Sequence, residues 1–158
     1  MLENPVPSTS TMSIVPSFWT KVYYQDGDTL VQKEGTIDMV EVEGTGFSSI
    51  QRAIDAASPG DVIFLKGITY ENDFNHQMVI DKPITIIGTD GTVLDAEGES
   101  RIFNVNDGIS GVNLANMEYI NGNTDENGGA IRFGNGCNDI KITNSNFTNS
   151  RALYGMDQ

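Results

Sequence analysis

The chain repeats itself at an offset of 28 residues, and a period that short admits few architectures. Ile84-Thr85-Ile86 falls on Val112-Asn113-Leu114, and that triplet on Ile140-Lys141-Ile142. Phe103-Asn104-Val105 falls on Ile131-Arg132-Phe133, Asn116 on Asn144, Tyr119 on Phe147 and Asn121 on Asn149. Within each run apolar and polar residues alternate, which marks a strand with one buried face. The first repeat is shorter: Val62-Ile63-Phe64 precedes Ile84-Thr85-Ile86 by 22 residues.

Such a repeat is too small for a propeller blade, and it lacks the helical return of a leucine-rich repeat. What remains is a coil of parallel strands, one turn per repeat, with neighbouring strands about 4.8 Å apart. The expected fold class is therefore all-β: a right-handed parallel β-helix, since parallel connections are right-handed. Equivalent residues then stack. Ile84, Val112 and Ile140 form one aliphatic column, Phe103 and Ile131 another, and Tyr119 lies over Phe147. Asn116 over Asn144 and Asn121 over Asn149 form ladders at the bends. Twelve of the fifteen asparagines lie between Asn104 and Asn149, as suits a residue tolerant of left-handed backbone.

Three regions are expected. Residues 1–17, rich in Ser, Thr and Pro, read as a flexible leader. Residues 18–45 read as a β-hairpin turning at Asp26-Gly27-Asp28. Residues 46–158 read as the capped coil. They open on a helix over 47–58, where Phe47, Ile50, Ala53, Ile54 and Ala57 share one face and Pro59-Gly60 ends the run.

The run from Phe47 through Ile50-Gln51 and Ala53-Ile54-Asp55 to Gly60-Asp61-Val62-Ile63-Phe64-Leu65, with Gly67 and Tyr70, resembles the entry of pectin-lyase-like right-handed parallel β-helices. That likeness implies that the helix covers the open end of the coil. Gly128-Gly129-Ala130-Ile131, followed by Phe147 and Asn149, resembles the repeat of chlamydial polymorphic outer-membrane proteins and of adhesin-like surface proteins of methanogenic archaea. Pro83-Ile84-Thr85-Ile86-Ile87-Gly88, Val93-Leu94-Asp95-Ala96 and Arg101-Ile102-Phe103-Asn104 are similar to the first turn of the adhesin-like proteins. The resemblance spans residues 46–155. Arg151 to Gly155 looks like the start of another turn, so the coil is expected to be C-terminally incomplete.

Nine basic against twenty-two acidic residues leave a net charge of −13. Nucleic acid and anionic membrane surfaces need a basic patch, so neither is expected as a partner. No apolar run is long enough for a membrane span. One cysteine, Cys137, excludes an intramolecular disulfide and a cysteine zinc cluster, and one histidine, His76, excludes most histidine metal sites. Residues 1–20 lack the basic start and apolar stretch of a signal peptide.

A lyase on such a coil needs carboxylates for Ca²⁺ and an Arg or Lys base; a hydrolase needs paired acids. The outward columns are Thr85, Asn113 and Lys141, and Asn104 and Arg132. Neither column contains a carboxylate. Arg132 is the best single candidate for a catalytic base, although a solvated strand arginine is the simpler reading. Asp95, Glu97 and Glu99 are candidates for loose Ca²⁺ binding; otherwise they are solvated turn acids. Gly128-Gly129 reads as a tight bend, Cys137 as an exposed spare thiol, and His76 as a solvated loop side chain. Asn146-Phe147-Thr148 is a glycosylation sequon.

No residue is assigned a catalytic, cofactor-binding or metal role. The expected function is a non-enzymatic, adhesin-like module at a cell surface or in the extracellular space, offering its flank to a glycan or protein partner. The alternatives are a polysaccharide lyase or glycoside hydrolase whose catalytic turns lie in missing sequence, and a viral tail-spike module.

Overall fold

The computed structural model describes residues 20–26, 29–32, 49–71 and 75–153. The expected leader, Phe47, and the apolar residues from Ile37 to Val42 lie outside them. Within the described residues, mostly parallel strands and one short helix make up the regular structure.

Strands β1 (Thr20–Asp26) and β2 (Thr29–Gln32) form the antiparallel hairpin signalled by Asp26-Gly27, with Asp26 opposite Thr29. Helix α1 (Ser49–Ala56) follows. The remaining strands are short: β3 (Val62–Leu65), β4 (Thr69–Tyr70), β5 (Met78–Ile80), β6 (Thr85–Gly88), β7 (Val93–Asp95), β8 (Phe103–Val105), β9 (Ser110–Ala115), β10 (Glu118–Ile120), β11 (Asn123–Thr124), β12 (Ile131–Phe133), β13 (Asn138–Thr143), β14 (Asn146–Thr148) and β15 (Arg151–Ala152).

Sheet A has the order β13-β9-β6-β3, all parallel, and continues antiparallel into β1 and β2. Sheet B is β14-β10-β7-β4 and sheet C is β12-β8-β5, both parallel, while β11 pairs with β15. From β3 onward the chain visits A, B and C in the same cyclic order in each repeat.

The 28-residue register holds in sheet A, where Thr85 lies opposite Asn113 and Asn113 opposite Lys141. It holds in sheet C, where Phe103 faces Ile131, and in sheet B, where Tyr119 faces Phe147. The first step corrects the sequence alignment: Val62 pairs with Thr85 and Ile63 with Ile86, an offset of 23 rather than 22. The reason is the pleat. Ile63 and Leu65 are fully buried, as is Ile86, and a one-residue slip would set Ile63 beside the outward Thr85.

The core is continuous through the layers. Ile63, Ile86 and Leu114 line sheet A, Leu94 and Tyr119 sheet B, and Met78, Ile80, Phe103 and Val105 sheet C, all essentially buried. Each such side chain contributes about 1.5–3 kcal/mol on leaving water. Ile84 and Val112 are buried and Ile140, on the last layer, is half-buried.

The bends carry the predicted ladders. Asn116, Asn121, Asn144 and Asn149 have φ between 47° and 60°, the left-handed region that asparagine tolerates. Asn144 Nδ2 donates to Asn116 Oδ1, and Asn149 Nδ2 to Asn121 Oδ1, both at 2.8 Å. Gly128 has φ +79°, and a Cβ on Gly129 would meet the Arg151 backbone at 2.6 Å. The Gly-Gly pair is therefore a tight bend beneath the next layer.

The helix ends at Ala56, two residues before the expected end, and its apolar face behaves as the spacing requires: Ile50, Ala53, Ile54 and Ala57 are buried. Two polar contacts seat it. Strand β5 is the edge of sheet C, and Gln51 stands in for a missing neighbour. Its Oε1 accepts from the Val79 N–H at 2.7 Å, and its Nε2 donates to the Val79 carbonyl at 3.2 Å. Lys82 Nζ donates to the Ile54 carbonyl at 2.8 Å, a charged second partner for an acceptor of the last helical turn that also receives the Ala57 N–H at 3.2 Å.

Candidate functional site

The bend of residues 96–101, between β7 and β8, lies against the chain of the next repeat, with Ala96 N–H donating to the Ile120 carbonyl and Asn123 N–H to the Ser100 carbonyl. It delivers Arg101 to the rim of sheet C. The Arg101 side chain is 12% exposed, and its Nη2 donates to Thr124 Oγ1 at 3.0 Å and to Glu126 Oε2 at 2.9 Å. Thr124 Oγ1 also accepts from the Glu126 N–H. The guanidinium is thus held in a fixed orientation, although pairing with an exposed carboxylate adds little stability. Its Nε is buried without a hydrogen-bond partner among the described residues.

This pair bounds a cleft of about 560 Å³ lined also by Gln77, Val79, Glu99, Asn104 and Asp125. The lining offers amide donors and acceptors, carboxylate acceptors, one guanidinium and one apolar contact, since Val79 is 36% exposed. Such a set suits a hydroxyl-rich ligand, whose groups both donate and accept.

His76 departs from the solvated reading. It is half-buried, and its Nδ1 lies 2.6 Å from Ser100 Oγ. Ser100 is itself buried and donates to the Arg101 carbonyl at 3.0 Å. The Ser100 hydroxyl has one proton to share between the Arg101 carbonyl and the ring nitrogen, so the direction of the His76–Ser100 bond follows the imidazole tautomer. The same carbonyl accepts from the Gln77 N–H at 2.7 Å, so this cluster braces the entry to β5 against the entry to β8.

Arg132 sits opposite Asn104, as the columns predict, and its Nη1 donates to Asn104 Oδ1 at 2.9 Å. The sequence reading missed Asp107, in the bend after β8, whose Oδ1 stands 3.9 Å from Arg132 Nη2 and accepts from the Asn135 N–H. Arg132 therefore has an acid beside it, but one acid rather than a pair. In sheet A, Asn113 Nδ2 donates to Thr85 Oγ1, and Lys141 lies 3.7 Å from Asp139.

Asp95 is not a free turn acid: its Oδ1 accepts from the Asn121 amide at 2.8 Å and from the Glu97 N–H at 2.7 Å. Among the described residues, no three His, Cys, Asp or Glu side chains cluster as a metal site. Cys137 is half-buried rather than exposed, its thiol 3.1 Å from the Asn106 carbonyl. No helix among the described residues is long and apolar enough to cross a membrane.

Comparison with family models, curated proteins and solved structures finds no match to this chain.

Proposed function

We propose that the layered strands close into a right-handed parallel β-helix of the pectin-lyase-like kind, capped by α1. It acts without catalysis as an adhesin-like module at a cell surface or in the extracellular space. Support for the coil comes from the cyclic order of the sheets and the one-repeat register between strands. The hand follows from the rule that about 98% of parallel connections are right-handed.

One observation carries the non-catalytic reading. Outward columns of sheet A (Thr85, Asn113 and Lys141) and of sheet C (Val79, Asn104 and Arg132) hold no carboxylate, and in sheet B Glu118 and Asp95 stand in separate columns, one acid in each. Acid pairs for hydrolysis and a carboxylate cage for Ca²⁺ are both missing from them. What the flank does offer is the polar cleft beside Arg101, and we assign it a glycan as ligand.

Calorimetric titration with neutral and acidic oligosaccharides tests this reading. Binding that is lost in Arg101→Met, in a variant that keeps its thermal midpoint, is the expected result. Binding indifferent to Arg101→Met would move the glycan elsewhere, and no binding by any oligosaccharide would sink the glycan assignment.

A further inference from the structure

The cleft beside Arg101 has a sign. Its charged lining is Glu99, Asp125 and Glu126 against Arg101 alone, which leaves it at −2. Glu126 and Arg101 are bonded to each other, so the uncompensated carboxylates are Glu99 and Asp125. Both are exposed, and neither side chain makes a hydrogen bond or ion pair among the described residues.

Arg101 is not placed to clamp an acidic sugar. A guanidinium grips a carboxylate with two parallel N–H bonds, and both faces that do so include Nη2. The two Nη2 protons of Arg101 are spent on Thr124 Oγ1 at 3.0 Å and on Glu126 Oε2 at 2.9 Å, and its Nε is buried. A uronate would meet Nη1 alone, in a cleft that Glu99 and Asp125 also line.

Gln77 is the other uncommitted group of the lining. Its side-chain amide makes no hydrogen bond among the described residues, and its backbone has φ 55°. Of the seven described non-glycine residues in the left-handed region, five are Asn or Asp, whose short side chains bond locally there; glutamine lacks that compensation. Such strain persists where the surrounding structure holds the residue in place. Here the Gln77 N–H is tied to the Arg101 carbonyl at 2.7 Å. The cleft therefore keeps one free amide, which suits hydroxyls, and two free carboxylates, which suit cations.

We propose, resting on the glycan reading of this cleft, that its ligand is an oligosaccharide of amino sugars. Their ammonium groups pair with Glu99 and Asp125, their hydroxyls bond the Gln77 amide, and the apolar face of one ring covers Val79, which is 36% exposed. Acidic glycans are turned away by the same two carboxylates, and neutral ones forgo the charged bonds.

The probes are a glucosamine hexamer, its N-acetylated counterpart and a galacturonate hexamer. Each is titrated calorimetrically into the full chain at about pH 5.5, where exposed carboxylates are ionised and the sugar amine carries its proton. The amino hexamer should bind at least about fivefold more tightly than the N-acetylated one, with galacturonate weakest, and the preference should shrink with salt. Glu99→Gln with Asp125→Asn should keep the thermal midpoint and erase the preference. Asp90→Asn with Asp139→Asn removes the same charge from exposed acids outside the cleft and should retain it. Loss of the preference in both double variants would mean that net charge attracts the amines, and would overturn the proposal. Equal binding of the amino and N-acetylated hexamers, each lost in Arg101→Met, would overturn the cationic class and leave the glycan reading standing, whereas binding of no hexamer would overturn both. Tighter binding of a lysine hexapeptide that also needs Glu99 and Asp125 would assign the cleft to a protein partner instead.

Discussion

The rings of Tyr119 and Phe147 lie parallel, 4.6 Å between centroids and 5° between planes, although 28 residues separate them. Tyr119 is fully buried and also meets Phe103 edge to face at 6.4 Å, whereas Phe147 is 47% exposed. Tyr119→Ala should therefore cost about 3–5 kcal/mol, and Phe147→Ala about 1–2 kcal/mol. Guanidinium unfolding midpoints at constant slope measure both. Equal losses would mean that the last layer is as tightly packed as the one below it.

Tyr119 also sets an alkaline limit. Burial pushes its phenol well above the ordinary value of 10.0. The folded state holds that proton more tightly than the unfolded chain. Its contribution is complete below about pH 10 and is lost as pH rises further. Stability of the wild-type chain should fall above pH 10, and Tyr119→Phe should fall less steeply. Parallel pH curves for the two proteins would contradict the assignment.

The ladder from Asp95 through Asn121 to Asn149 makes a separable prediction. Asn121→Ala removes two side-chain bonds and places a Cβ without local hydrogen bonding at φ 56°. The loss should be about 2–4 kcal/mol. Asn121→Gly relieves the backbone part and should recover about 1 kcal/mol of it. If alanine and glycine are equivalent by thermal unfolding, the left-handed conformation is not what selects asparagine here.

The helix predicts a larger effect from one atom group. Ile54 is fully buried, so Ile54→Asp places a charge in an apolar seam and should cost at least about 3 kcal/mol. An unchanged melting temperature would show that α1 does not dock on the first layer.

Much of this was legible because a stacked repeat writes each contact into the sequence as a fixed offset. The Tyr119–Phe147 stack, both asparagine ladders and the Asn104–Arg132 column follow from 28 residues alone. The offset fails where bends change length. Met78 pairs with Phe103 and Val93 with Glu118 at a spacing of 25, and Arg101 meets Glu126 across the same shorter step. No periodic search brings that cleft together. Side chains that leave the strand rows are equally silent: Gln51 completing the β5 edge, Asp107 reaching Arg132, and His76 turning onto Ser100 depend on bend geometry that alternation does not encode.

The central claim is that the flank of these stacked sheets presents groups without performing chemistry, and turnover tests it most directly. The chain is incubated with polygalacturonate and with neutral glycans, with and without Ca²⁺, while unsaturated product and new reducing ends are followed. The account predicts neither, because Arg132 is flanked by Asn104 and a single acid, Asp107. Turnover that disappears in Arg132→Ala would contradict it and identify the sheet C face as an active site.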